Sequence, residues 1–289
     1  MSKCRGREGL PRSLGSVYAG SVVRFLGGFR GATRRVIATL HGRSSYCSGM
    51  AVSRDGCTMF VVGGGPSSQT NDMLCVYDVR DGAPLGSVAI PCDGQVWVAP
   101  DDFVFLAHWR SGVKVLAPCL DVQGVIPCAG ARGACADDQC VFVAVSVAED
   151  DTIVVFSRDT GAMRRRFGRR GVGYGDLLLP RRTCFVSRNR RIAVANSGHD
   201  RVSVFSVDGV FVRNVGVGML RHPMSVACSA GGDELVVADY GHCRLVVFSA
   251  SDELLHVVRD GQFTSVAIHG STVFALTSSG FGSTLVAVE

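Results

Sequence analysis

Short runs of Val, Ile, Leu and Phe, each closed by Gly, Asp, Asn or Ser, recur along the chain. Clear examples are CTMFVVGG (57–64), DFVFLAHW (102–109), QCVFVAVSV (139–147), RIAVANS (191–197) and ELVVADY (234–240). β-Branched and aromatic runs of this length between turn residues predict strands joined by hairpins. A second run follows each or stands nearby: MLCVYDV (73–79), VKVLAP (113–118), TIVVFSR (152–158), RVSVFSV (201–207), RLVVFSA (244–250) and STLVAVE (283–289). Apolar positions at helical spacing are almost absent, so the pattern predicts an all-β chain.

Two segments are near-duplicates: VANSGHDRVSVF at 194–205 and VADYGHCRLVVF at 237–248. They place Ala195 over Ala238, Arg201 over Arg244 and Phe205 over Phe248, each 43 residues apart. Extending the register marks Gly63, Ala107, Ala144, Ala195, Ala238 and Ala275, which gives six units averaging about 42 residues, enough for four strands each. The last unit offers FTSVAIHG (263–270), TVFALTS (272–278) and STLVAVE, one strand short, whereas RRVIATLHG (34–42) is an extra strand at the start. Supplying that strand to the last unit would remove an exposed edge. The expectation is a six-bladed β-propeller of four-stranded blades over 34–289, closed by an N-terminal strand and preceded by a poorly ordered basic arm, 1–33.

The unit at 177–216 carries Pro180, Arg201, Val204, Phe205, Asp208 and Gly209, with Gly173 and Gly175 just before it. The next unit carries Pro223, Ala238, Asp239, Arg244, Val247 and Phe248, and the one before keeps Ile153, Val155, Phe156, a turn at Asp159–Gly161 and Phe167–Gly168. In these residues the chain resembles an NHL repeat over about 130–260. It departs from the family pattern at Asn196, where Asp is usual, and at His199 and His242, where the turn Asn is usual. The resemblance implies a propeller scaffold; several family members bind RNA on one face, and others join the propeller to a RING and B-box in ubiquitin ligases. No such zinc modules occur here, so a ligase role implies a substrate-recognition subunit whose RING is on another chain.

Charge changes the picture at one place. The net charge is +5, but residues 1–35 carry Lys3 and seven arginines against Glu8, a local +7 that leaves the body at about −2. This arm reads as solvated, with a mitochondrial transit peptide as the alternative. No apolar stretch reaches the length of a membrane span. The 12 cysteines include no C-x-x-C pair, so no zinc module is expected, and they read as reduced thiols of a cytoplasmic protein, or of the mitochondrial matrix. The sequence also lacks G-x-S-x-G, G-x-x-x-x-G-K-[ST] and H-E-x-x-H, so no catalytic, cofactor-binding or metal-binding residue is assigned.

Ten arginines crowd into 164–191 with Asp176 as the one acid among them. In a four-stranded blade, the loop leading into the first strand and the turn between the second and third open on one face. That face would gather Arg169, Arg170, Arg181 and Arg182 with Trp109, Arg110, His199, Tyr240 and His242. Guanidinium groups beside aromatic planes suit single-stranded RNA, and an acidic protein partner is the competing occupant. Arg164, Arg165 and Arg166 read instead as a charged edge strand. Arg201, Arg244, Phe205 and Phe248 recur at equivalent places and read as architecture. The expected function is a non-enzymatic, monomeric scaffold for a protein partner or single-stranded RNA. The enzyme alternative is a propeller hydrolase or lyase with a channel metal. His108, His199 and His242 are its candidates, but Arg110, not His108, falls over His199.

Overall fold

The structure, a computed structural model, describes residues 34–40, 48–63, 73–91, 94–259, 261–279 and 282–288, with the backbone alone for 34–40 and 278–288. The basic arm and the GGGP loop after Gly63 lie outside the described residues.

β1 (Arg34–Leu40) comes first. The next sheet holds β2 (Gly49–Val52), β3 (Thr58–Gly63), β4 (Met73–Asp78) and β5 (Pro84–Ala89), ordered as in the chain. β6 (Val96–Val98), β7 (Val104–His108), β8 (Gly112–Leu116) and β9 (Val122–Ile126) repeat the plan. So do β10 (Ala131–Ala136), β11 (Cys140–Val147), β12 (Asp150–Ser157) and β13 (Met163–Phe167). A fourth sheet has β14 (Pro180–Val186), β15 (Arg191–Asn196), β16 (Arg201–Ser206) and β17 (Phe211–Val215). A fifth has β18 (Pro223–Cys228), β19 (Glu234–Asp239), β20 (Arg244–Ser249) and β21 (Leu254–Arg259). The last contains β22 (Phe263–His269), β23 (Thr272–Ser279) and β24 (Gly282–Val288), and β1 pairs antiparallel with β24 at its edge.

The protein is thus an all-β propeller with four-stranded blades. The first strands are neighbours around the axis: β2 with β6, β6 with β10, β10 with β14, β14 with β18, β18 with β22, and β22 with β2. Second strands are sandwiched between sheets, which is why β3 is buried along its whole length and β11 along all but its last residue. Outer strands such as β13 and β21 are exposed or half-buried at every position; β13 is correspondingly rich in arginine, whereas β21 keeps four aliphatic side chains. Phe205 on β16 and Phe248 on β20 are fully buried, and Phe205 meets Phe167 and Phe211 at centroid distances of 5.4 and 5.8 Å. Each such ring contributes about 1.5–3 kcal/mol by leaving water.

The first strands of four successive sheets share a defect. Pairing slips between Ala131 and Gly133, Pro180 and Thr183, Pro223 and Ser225, and Phe263 and Ser265. Such bulges leave backbone groups unpaired and bend the strand. Here they sit at the upper end of the channel, the end that also carries the turns between second and third strands.

Of the arginines on the edge strand β13, one crosses to the next sheet and two bond within their own. The Arg165 guanidinium donates to the Val207 carbonyl of the next sheet at 2.6 Å, Arg164 to Ser157 Oγ at 3.1 Å, and Arg166 pairs with Asp150. At the lower end, Arg158 pairs with Asp101 at 2.5 Å and Arg190 with Asp137 at 2.9 Å, each across a sheet boundary; Arg188 pairs with Asp233. Eight described cysteines are free thiols, but Cys57 is disulfide-bonded, so the expectation of uniformly reduced thiols fails there.

Candidate functional site: the upper loop face and channel mouth

The repeat explains how this face is built. In the fourth sheet the Asn196 side-chain Oδ1 accepts the Leu178 N–H at 2.8 Å; in the fifth the Asp239 carboxylate accepts the Arg221 N–H at 2.7 Å. Both bonds reach back 18 residues and pin the loop leading into the first strand. Gly198 and Gly241 repeat the tie through their N–H groups, which donate to the Leu178 and Arg221 carbonyls. Arg201 and Arg244 reach the same loops, donating to the Gly173 and Met219 carbonyls. They differ in one respect. The Arg244 Nε–H finds the second Asp239 carboxylate oxygen at 2.6 Å, whereas Arg201 Nε is buried without a partner among the described residues, because Asn196 presents an NH2 donor where Asp239 has that oxygen.

The arginines expected to share a free face are divided by the structure. Arg169 is exposed and 3.1 Å from Asp176, whose carboxyl is held below the usual range by the Gly173 N–H and then by Arg169. Arg170 donates to the Ala148 carbonyl and stands 3.9 Å from the buried Asp151. Arg182 departs furthest from expectation: it is 6% exposed, so its guanidinium is not part of the exposed loop face. Its Nη1 donates to the Met224 and Thr264 carbonyls, which the bulges of β18 and β22 leave available. An arginine that bridges to the sheet two along cannot be recognised from a local run of basic residues.

Trp109 is 41% exposed, with the Arg110 guanidinium 4.8 Å and that of Arg132 5.9 Å from its ring centroid. Arg132, not singled out by sequence, occupies the bulge of β10 as Arg181 occupies that of β14. Aligning the first strands by their bulges was the signal that could have found it. Burial, and then the charge of Arg132, pushes the half-buried Arg181 guanidinium down. His222, half-buried before Pro223, is lowered by burial and then by Arg181, with Asp200 opposing. Its ring lies edge-on to Tyr240 at 6.2 Å. His199 is half-buried, its Nδ1 3.4 Å from Arg201, and His242 Nδ1 lies 2.9 Å from Asp239. These two histidines serve turns and loops, and no group of three metal-ligating side chains converges among the described residues.

Apolar side chains complete the face. Val172 and Tyr174 are exposed on the loop leading into β14, and Val217 and Met219 on the loop leading into β18. Sequence reading passed over them because single apolar residues in polar loops carry no pattern.

The histidine environments give a pH dependence. A histidine whose folded pKa lies below 6.5 is protonated first in the unfolded chain, so stability falls as pH drops through and below 6.5. Thermal melts should show Tm declining from pH 7.5 to 5.5, and His222→Gln should flatten that decline. An unchanged slope would exclude His222 as a contributor.

No protein-family model matches the chain, and no curated protein matches it in sequence. Solved structures do match it, 1095 chains in all. One is Kuenenia stuttgartiensis hydrazine synthase, 13% identical, aligned over 83% of this chain and 82% of that one with a TM-score of 0.60. At that identity the likeness speaks to the fold alone: a β-propeller.

Proposed function

We propose that the chain is a non-enzymatic interaction scaffold, an NHL-type propeller of six blades closed by β1, whose upper loop face docks an acidic protein segment. The observation that carries this reading is the juxtaposition of exposed apolar tips on two successive loops, Val172 with Tyr174 and Val217 with Met219, with cations at the same end, Arg110, Arg132 and Arg221. Exposed apolar side chains among charges suit protein partners with mixed chemistry. Repeat geometry supports the NHL assignment, since the paired loop ties of Asn196 and Asp239 recur at one spacing. Pairing of β1 with β24 supports closure. No helix among the described residues is long and apolar enough to cross a membrane.

Single-stranded RNA is the second reading, favoured by one feature: Trp109 flanked by Arg110 and Arg132 would offer a base a stacking plane and its phosphates two guanidinium groups. The burial of Arg182 and the engagement of Arg169 and Arg170 weigh against it.

The test titrates the full chain with labelled random peptides of mixed acidic and aromatic residues, and with labelled random single-stranded RNA, each at low and near-physiological salt. The expected result is saturable peptide binding lost in Val172→Asp/Val217→Asp. RNA binding that falls steeply with salt and disappears in Arg110→Glu/Arg132→Glu would replace the protein reading with the RNA one. Neither ligand binding at low salt would remove both.

A further inference from the structure

The channel mouth concentrates positive charge without the acids that balance it elsewhere. At the lower end arginines meet carboxylates across sheet boundaries: Arg158 with Asp101, Arg190 with Asp137. At the upper end Arg132, Arg181 and His222 come from three consecutive sheets, on or beside β10, β14 and β18, and Arg182 lies beside them. Their closeness follows from the packing: a Cβ added at Gly133, the residue after Arg132, would stand 2.7 Å from the Arg181 carbonyl oxygen and 2.8 Å from Arg182 Cα. Arg181 is disfavoured by Arg132, and Arg182 and His222 by Arg181. Among the described residues Asp200 is the one carboxylate acting here, on His222, where it also accepts the backbone N–H at 2.7 Å.

A second observation is independent of charge. Arg181 Nε and Arg182 Nε are both buried with no hydrogen-bond partner among the described residues. Arg182 is 6% exposed, and its described bonds go to two neutral carbonyls through a single nitrogen. Buried donors left unpaired cost about 1–3 kcal/mol each, more when charged. Guanidinium groups with N–H donors to spare, with no carboxylate bonded to them among the described residues, match the acceptor oxygens of a phosphate.

We propose that the upper end of the channel, between Arg132, Arg181 and His222 above buried Arg182, is a binding site for a phosphate group. The ligand's oxygens would receive the spare guanidinium donors, and its charge would offset the mutual repulsion of the three guanidinium groups. The residues are at the axis rather than on the loop tips, so the site stands whether or not the face docks a protein. A phosphate could arrive as the free ion or as a phosphorylated side chain, and the two sources share this chemistry.

The experiment titrates the full chain with inorganic phosphate and, separately, with O-phosphoserine, against sodium chloride at matched ionic strength. Tm and tryptophan emission are the readouts, because Arg132 lies against the Trp109 ring and its withdrawal toward an anion would change that emission. The expected result is a saturable response to phosphate, absent with chloride, whose Kd rises about tenfold or more in Arg181→Gln, the loss of one charge-assisted contact. Arg132→Gln, at a half-buried position, provides the same test should Arg181→Gln fail to fold. Tighter binding of O-phosphoserine than of phosphate identifies a phosphorylated side chain as the source, and the reverse order identifies the free ion. Equal responses to phosphate and chloride, or an unchanged Kd in the Arg132→Gln variant, would overturn the proposal.

Discussion

Asp239→Ala should destabilise the protein by about 3–5 kcal/mol, the range for removing one partner from a buried ion pair. The carboxylate is completely buried and does three jobs at once. It accepts the Arg221 N–H at 2.7 Å, the Arg244 Nε–H at 2.6 Å and a contact from His242 Nδ1 at 2.9 Å. Alanine would leave a largely buried guanidinium and a backbone N–H without acceptors, and would release the loop that leads into β18. Asp239→Asn should cost much less, about 1–2 kcal/mol, because Asn196 shows that an amide oxygen can hold the equivalent N–H. Urea unfolding of the two variants checks this. Equal costs for Ala and Asn would mean that the loop tie contributes little and that the charge dominates.

Gly133→Val should lower stability by about 4 kcal/mol, through overpacking together with broken buried hydrogen bonds. A Cβ at 133 would meet the Arg181 carbonyl oxygen at 2.7 Å and Arg182 Cα at 2.8 Å, both backbone atoms that cannot swing aside. It would also stand 2.8 Å from Gln95 Oε1. That amide crosses from beside β6 over Gly133 to β14: Nε2 donates to the Thr183 carbonyl at 2.6 Å, while Oε1 accepts the Thr183 N–H at 2.9 Å and the Ala134 N–H at 3.2 Å. Displacing it would leave buried backbone groups of two strands unpaired. Gln95→Ala should reproduce part of the loss, and the double variant should be less destabilised than the sum, because the two residues share one space. Strict additivity in denaturant unfolding would refute the bridge as an element of stability.

The same comparison of near and distant residues decides how much of this protein is readable as a string. Alternation and turn residues identify β15, β16, β19 and β20 within a residue or so of their observed limits, since a strand's inward and outward positions follow directly from its own sequence. Arg201 and Arg244 are recognisable as a recurring pair, and the spacing that reveals them is the spacing of their loop ties. The basic cluster at 164–191 was visible too, yet its members scatter: Arg165 crosses to the next sheet, Arg170 turns to a carbonyl, and Arg182 enters the channel. Composition reports that charge is present and says nothing about which guanidinium finds a partner.

The sequence by itself determined the repeat, the strand type and the four-stranded unit, because these rest on contacts between residues near one another in the chain. Only the tertiary structure decided what lies on the axis. Gln95 meets Thr183 across 88 residues, and Arg182 meets Thr264 across 82. Those pairings exist because the first strands of successive sheets are brought side by side and bulges free the carbonyls that receive them. No local pattern encodes such a meeting, so the gathering of Arg132, Arg181 and Arg182 at one end of the axis became visible only once the sheets were assembled.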